Sequence, residues 1–147
     1  MKISTRGQYG ARALVDMALH YGEGSILLRD VARRQCISVR YLQHLLTPLI
    51  KAGIIKSVRG AHGGVALARP PEQVNLGEVI ELLEGSVAPV ECVDDPASCS
   101  RTAGCVTRDV WTELKKAMTG VLDSTTLKDL AERQREKERV AVPMYYI

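Results

Sequence analysis

The sequence predicts a mainly α-helical protein with a small β wing: a winged helix-turn-helix head followed by a long dimerisation helix. Three observations carry this. Apolar residues recur at helical spacing through most of the chain. A short helical pattern, a tight turn and a longer amphipathic pattern follow one another between Leu28 and Gly53. Two brief apolar runs then flank a glycine-rich turn. With no Phe, five Tyr and one Trp among 147 residues, Leu, Val, Ile and Ala must fill the core, which favours helices.

After a polar lead-in, Lys2 to Gly7, the recurrence of Tyr9, Ala13, Leu14, Met17, Ala18 and Tyr21 predicts a helix from near Gln8 to His20, closed by Gly22 and Gly24. Ile26 to Leu28 reads as a brief strand. The helix Leu28–Gln35 turns Val31 and Ala32 inward, Cys36-Ile37 makes the turn, and Ser38 is a good N-cap for the next helix. That helix carries Leu42, Leu45, Leu46 and Leu49 on its inner stripe and stops at Gly53. Pro48 within it costs an internal hydrogen bond. Ile54 to Val58, the turn 59–64 and Val65 to Ala68 form the wing. No helix follows its glycines, so the turn is not a nucleotide-cradling loop.

Pro70-Pro71 ends the head, giving a boundary at residues 1–70. A connecting segment, 71–90, holds a helix with Asn75 and Glu78 as its capping box. The loop 91–106 contains three cysteines. The span 107–139 begins with a long helix near Thr107, whose stripe Val110, Trp111, Leu114, Met118 and Val121 suits either a dimer seam or packing on its own domain. Residues Ser124 to Thr126 cap a last helix running to about Glu138. The run Arg133–Arg139 is polar all round, which suits a solvated end, and 140–147 form an apolar tail.

Charge is uneven. Residues 1–69 hold eleven Lys or Arg against Asp16, Glu23 and Asp30, so this part carries +8 while the remainder is net acidic by five. A basic half with a helix-turn-helix points to double-stranded DNA. The second helix enters the major groove by its N-terminal residues, which places Ser38, Arg40, Tyr41 and Gln43 at the bases and His44 on the next turn. Arg pairs bidentately with guanine and Gln with adenine. Tyr41 is open between a core edge and a phosphate contact. Arg59 at the wing tip suits a narrow minor groove, and Lys2, Ser4, Arg6 and Lys56 suit phosphates. No acid–base pair or nucleophile with its base stands out, which argues against an enzyme. No apolar run approaches the roughly 20 residues of a membrane span, and the expected location is the cytoplasm, without a membrane partner.

In a reducing compartment, Cys92, Cys99 and Cys105, spaced C-x6-C-x5-C, favour metal or redox chemistry over structural disulfides. The spacing matches neither zinc ribbons nor bacterial ferredoxins; Pro96 and Gly104 let the loop fold around a larger cluster. A disulfide switch or unliganded thiols remain alternatives. Cys36 reads as a small buried residue.

The segments KISTRGQYGARALVDMALH, ISVRYLQHLLTPLIKAGII, SVRGAHGGVAL and VNLGEVIELLEG, with the loop ending CVTRDVW, resemble the Rrf-type winged-helix transcription regulators, and within them the iron–sulfur cluster regulators. The resemblance reaches to about Glu132. It implies a homodimer built on the long helix. It also implies a cluster held by Cys92, Cys99 and Cys105, 2Fe-2S ahead of 4Fe-4S, that tunes binding to a palindromic promoter site. The expected targets are genes of cluster assembly or of iron and sulfur metabolism. One position departs from the pattern: the histidine expected three residues after the third cysteine is Arg108, a very poor ligand because it stays protonated. Gln8 and Arg12, which match a ligand position on the partner's first helix in some relatives, offer no acid or imidazole. Asp94, Asp95, Asp109, His20 or an exogenous group are the candidates left. The alternative function is a thiol-based or ligand-responsive regulator without a cluster that scaffolds a partner enzyme.

Overall fold

The computed structural model describes residues 2–142, which form seven α-helices, a two-stranded antiparallel sheet and three short 3-10 turns. Helix α1, Thr5–Leu19, starts three residues before Gln8 because Ser4 caps it, its Oγ accepting the Arg6 N–H at 3.1 Å. Helix α2 covers Leu28–Gln35. Cys36 ends it in the left-handed region, φ 56°, and the Ile37 N–H reaches back to the Ala32 carbonyl at 3.0 Å. The expectation of a buried Cys36 fails: the helix stop turns it to solvent. Helix α3, Val39–Lys51, is capped by the Ser38 Oγ, which accepts the Tyr41 N–H at 3.1 Å. It passes through Pro48 and closes with an Ala52 N–H to Pro48 carbonyl bond of 3.0 Å.

Strands β1, Ile55–Val58, and β2, Gly64–Leu67, pair with Ile55 opposite Leu67 and Val58 opposite Gly64. The run Ile26 to Leu28 is divided rather than a strand. Ile26 makes a single bridge to Val65, with both hydrogen bonds at 2.8 Å, and Leu28 opens α2. The wing root is therefore tied to the α1–α2 linker. A Cβ at Gly64 would lie 2.1 Å from the Ile26 carbonyl oxygen, so that position needs glycine.

Helix α4, Leu76–Glu84, uses half of the expected capping box. The Asn75 Oδ1 accepts the Glu78 N–H at 2.8 Å, but the Glu78 carboxylate is taken by the Arg69 Nη2 at 2.6 Å. Then come α5, Glu91–Asp94, α6, Val106–Asp123, and α7, Leu127–Ala141, which runs past Glu138 into the expected tail. Pro143–Ile147 of that tail lie outside the described residues. Thr126 and Asp129 complete the reciprocal box that Asn75 and Glu78 do not.

The core lies between α1, α2, α3, the wing root, α4 and the start of α7. Leu14, Met17, Val31, Leu42, Leu46, Leu49, Ile54, Val79 and Leu127 are all but inaccessible to solvent. Each such side chain contributes about 1.5–3 kcal/mol of burial. Helices α1 and α4 meet closely, since a Cβ at Gly10 would fall 2.3 Å from Leu83 Cδ1. Asp16, the one buried charged residue among those described, ties α1 to α2. Both of its carboxylate oxygens accept from Arg34 Nε at 3.0 Å, and Gln35 Nε2 adds a longer bond of 3.4 Å.

Candidate nucleic-acid interface and cysteine loop

The leucine stripe that fastens α3 to the core leaves its other face to solvent. Ser38, Arg40, Gln43 and His44 are exposed there, while Tyr41 is half-buried. Because Leu42, Leu45, Leu46 and Leu49 are each at most 1% exposed, this face is fixed in rotation about the helix axis. Ser38 has a second duty as the N-cap, which aligns the first turn. Tyr41 meets Tyr9 of α1 edge to face, ring centroids 6.2 Å apart, and the Arg12 guanidinium lies 5.1 Å from the Tyr9 ring centroid. Arg12 Nε also donates to Gln35 Oε1 at 3.1 Å. The polar edge of α3 thus continues onto α1 through Tyr9 and Arg12. By spacing alone Tyr9 belongs to the helical stripe; its i, i+3 relation to Arg12 is the sequence signal for this second role.

Lys56 and Arg59 are exposed on the wing, and Gly60 takes φ 108° in its turn. The turn is held by Ser25 Oγ donating to the His62 carbonyl at 2.5 Å. Lys2 and Arg6 are exposed at the N-terminus. Ser4 is engaged inward: besides capping α1, its Oγ donates to Glu84 Oε1 at 2.5 Å.

The cysteine loop is less bare than its composition suggests. Helix α5 and two 3-10 turns, Pro96–Ser98 and Thr102–Gly104, give it local structure. The Thr102 hydroxyl closes it, lying 2.7 Å from the Pro96 carbonyl and 2.6 Å from that of Cys99. Two ties bind its start to α6: Arg108 Nε donates to the Cys92 carbonyl at 2.9 Å, and Lys115 Nζ meets Asp94 Oδ1 at 2.6 Å. Lys115, and after it the Ser86 hydroxyl, hold the Asp94 carboxyl below its usual range. Cys105 is the N-cap of α6. Its Sγ lies 3.2 Å from Thr107 Oγ1, and that bond, followed by the Arg108 N–H, holds the thiol below its ordinary range against Asp109.

All four cysteines are free thiols, with Cys99 exposed and Cys92 and Cys105 half-exposed. Among the described residues no three His, Cys, Asp or Glu side chains are gathered where one metal would sit. Three thiolates on one loop are donors suited to an iron–sulfur cluster. Arg108 is not, and its guanidinium is already engaged with a backbone carbonyl. Of the other candidates, Asp94 pairs with Lys115, Asp95 caps the Ala97 N–H at 3.0 Å, and His20 Nδ1 lies 2.8 Å from the Asp16 carbonyl. Asp109 is exposed on the first turn of α6. The donor set fits a cluster in three positions and departs from it in the fourth.

No residue of the 18-residue α6 is buried. Val110 is 55% exposed and Val121 67%, while Trp111, Leu114 and Met118 are half-exposed. Beside this helix a groove of about 580 Å³ opens, bordered by Lys2, Ile3, Glu84 and Val87 and by Met118 and Val121. No helix among the described residues is long and apolar enough to cross a membrane.

Comparison with known proteins meets this geometry. The model of the Rrf2 family, described as iron-dependent transcriptional regulator, matches residues 3–133. The chain is 47% identical over 130 residues to the protein rrf2 of Nitratidesulfovibrio vulgaris, an alignment covering 88% of this chain and 87% of that one. The structure of CymR, the global cysteine regulator of Bacillus subtilis, superposes with a TM-score of 0.77 at 40% identity over 90% of this chain and 98% of that chain. That of T. potens IscR superposes with 0.79 at 41% identity over 99% and 97%. The helix-turn-helix with its wing and these matches agree: the chain belongs to the Rrf2 family of winged-helix, DNA-binding transcription regulators.

Proposed function

We propose that the chain is a homodimeric, cytoplasmic regulator whose affinity for a palindromic promoter site is set by an iron–sulfur cluster in the 91–106 loop. The observation that carries this is the double position of Cys105, which is both the last cysteine of the loop and the N-cap of α6. Whatever fixes its thiol also fixes the start of a helix with no buried residue. Cys92, Cys99 and Cys105 would hold the cluster, with the fourth ligand supplied from a group other than Arg108. When bound, the cluster supplies a multi-thiolate tie whose presence depends on iron, sulfide and oxidants.

The chain's own residues do the rest. Arg108 and Lys115 hold the loop against α6. Val110, Trp111, Leu114, Met118 and Val121 form the seam with a second copy. The seam sets the separation of two α3 helices, and for a dimeric helix-turn-helix a separation of about 34 Å matches one DNA turn. Ser38, Arg40, Tyr41, Gln43 and His44 then face the major groove and Arg59 the minor groove, with Lys2 and Lys56 on phosphates. The targets are genes of cluster assembly or of iron and sulfur metabolism.

Anaerobic purification tests the cluster. A brown protein with visible absorption and matching iron and sulfide, abolished in Cys99→Ala, is the expected result. A colourless protein without iron sinks the proposal. A second reading, a thiol-based regulator without a cluster that scaffolds a partner enzyme, is favoured by the engagement of Arg108 at the fourth position and by the likeness to CymR, the global cysteine regulator. It predicts the colourless protein together with DNA binding that responds to thiol oxidation.

A further inference from the structure

The side chain of Glu84 has a placement that neither reading uses. It stands on the last turn of α4, yet Oε1 accepts three hydrogen bonds from the start of α1: from the Ser4 N–H at 3.1 Å, the Ser4 hydroxyl at 2.5 Å and the Gly7 N–H at 2.8 Å. A carboxylate so placed satisfies amides that no helical carbonyl can reach and sits at the positive end of the α1 dipole. The approach is close: a Cβ at Gly7 would fall 2.4 Å from Oε1, so a side chain there would displace the carboxylate. Lys2, directly before this clasp, is exposed beside the basic head.

On its other side Glu84 adjoins the route into the cysteine loop. Gly85 follows with φ 82°, then Ser86, which lines the same cleft as Asp94 of α5 and Lys115 of α6. Asp94 in turn pairs with Lys115 of α6. The Lys115–Asp94 pair thus borders a cleft with Ser86, which stands two residues of backbone from Glu84 and its bonds to Ser4 and Gly7. A continuous path does not by itself transmit anything; coupling has to be measured.

We propose that Glu84 is a positioning residue that couples the state of the 91–106 loop to the N-terminal DNA contacts, by clasping the start of α1 from the segment leading into the loop. This rests on the reading that the loop controls DNA binding. Loss of the clasp frees the first turn of α1 and Lys2 from the loop, so operator affinity stops responding to it.

A double-mutant cycle with purified full-length protein and operator DNA tests this. Operator Kd and its salt slope are measured for wild type, Cys99→Ala, Glu84→Ala and the double variant, with Glu84→Gln as the conservative control. In the wild-type background Cys99→Ala should change Kd about tenfold; in Glu84→Ala the same change should shrink to within twofold. The salt slope of Glu84→Ala should fall by about one phosphate contact. Glu84→Gln keeps an acceptor oxygen and should restore the full response. If Cys99→Ala shifts Kd equally in both backgrounds, the clasp proposal fails and loop control stands. If Cys99→Ala shifts neither, loop control itself fails. Should Glu84→Ala not fold, Gly7→Ala, which displaces the carboxylate without removing charge, takes its place in the cycle with the same criteria.

Discussion

Helices α3 and α6 are built on opposite plans. Thirteen residues of α3 put four leucines into the core at no more than 1% exposure; eighteen residues of α6 bury none. Helix α3 is fastened within one chain, and its outer face is exposed. The long helix carries an apolar stripe with no equivalent cover, held to the chain at its ends and by polar ties such as Lys115 to Asp94. The core that holds α3 is closed within one chain by α1, α2, α4 and the start of α7, while the apolar stripe of α6 is left open to solvent.

The largest expected effect sharpens this contrast. Leu46→Ala in α3 should cost about 3 kcal/mol of stability in chemical denaturation. Val121→Asp in α6 should cost the isolated chain under about 0.5 kcal/mol. It should instead convert a dimer to monomer in light scattering and make melting independent of protein concentration. If Val121→Asp unfolds the chain as Leu46→Ala does, α6 belongs to the core and the contrast collapses. Next in size, Arg40→Ala and Arg59→Ala should each weaken operator binding by about 1–3 kcal/mol in fluorescence anisotropy, with circular dichroism unchanged. Wild-type affinity in both would remove the reading face from α3 and the wing.

The smallest effect concerns the loop. The Thr107 hydroxyl, then the Arg108 N–H, lower the Cys105 thiol's ionisation range, so the thiolate forms at lower pH than for a free thiol. In metal-free, reduced protein, alkylation of Cys105 followed by mass spectrometry should keep its rate as pH falls below the usual thiol range. Thr107→Val removes the leading cause and should move the profile upward. An unchanged profile would mean that the helix start does not hold the thiol.

The head was legible in the sequence because its elements answer to local rules. The inward positions Val31, Ala32, Leu42, Leu45, Leu46 and Leu49, the cap Ser38 and the α2 boundaries all follow from spacing and capping chemistry. What local rules miss is competition for a side chain by distant partners. Glu78 is drawn from its capping box by Arg69, Ser4 is drawn inward by Glu84, and Ile26 leaves its apolar run to bridge Val65. The early start of α1 draws on both kinds of partner, since the Ser4 hydroxyl takes the Arg6 amide and Glu84 takes the Gly7 amide from 77 positions away. In the loop, spacing alone treats three thiols as one kind, while the structure distinguishes them: Cys105 stands at the N-cap position of α6 without a side-chain cap bond, Cys92 lends its carbonyl to Arg108, and Cys99 is exposed.

Cys36 bears on how any of this chemistry is assayed. It is a free, solvent-facing thiol in the turn of the DNA-reading head, held at φ 56°. Thiol reagents therefore meet four targets, and one of them stands two residues from the cap of α3. A loss of DNA binding on alkylation or oxidation reports on the loop only in a Cys36→Asn background, where asparagine accepts the left-handed backbone and removes the sulfur. The same position, left in place with the other three replaced, offers a single attachment point for a fluorophore beside the N-terminus of α3.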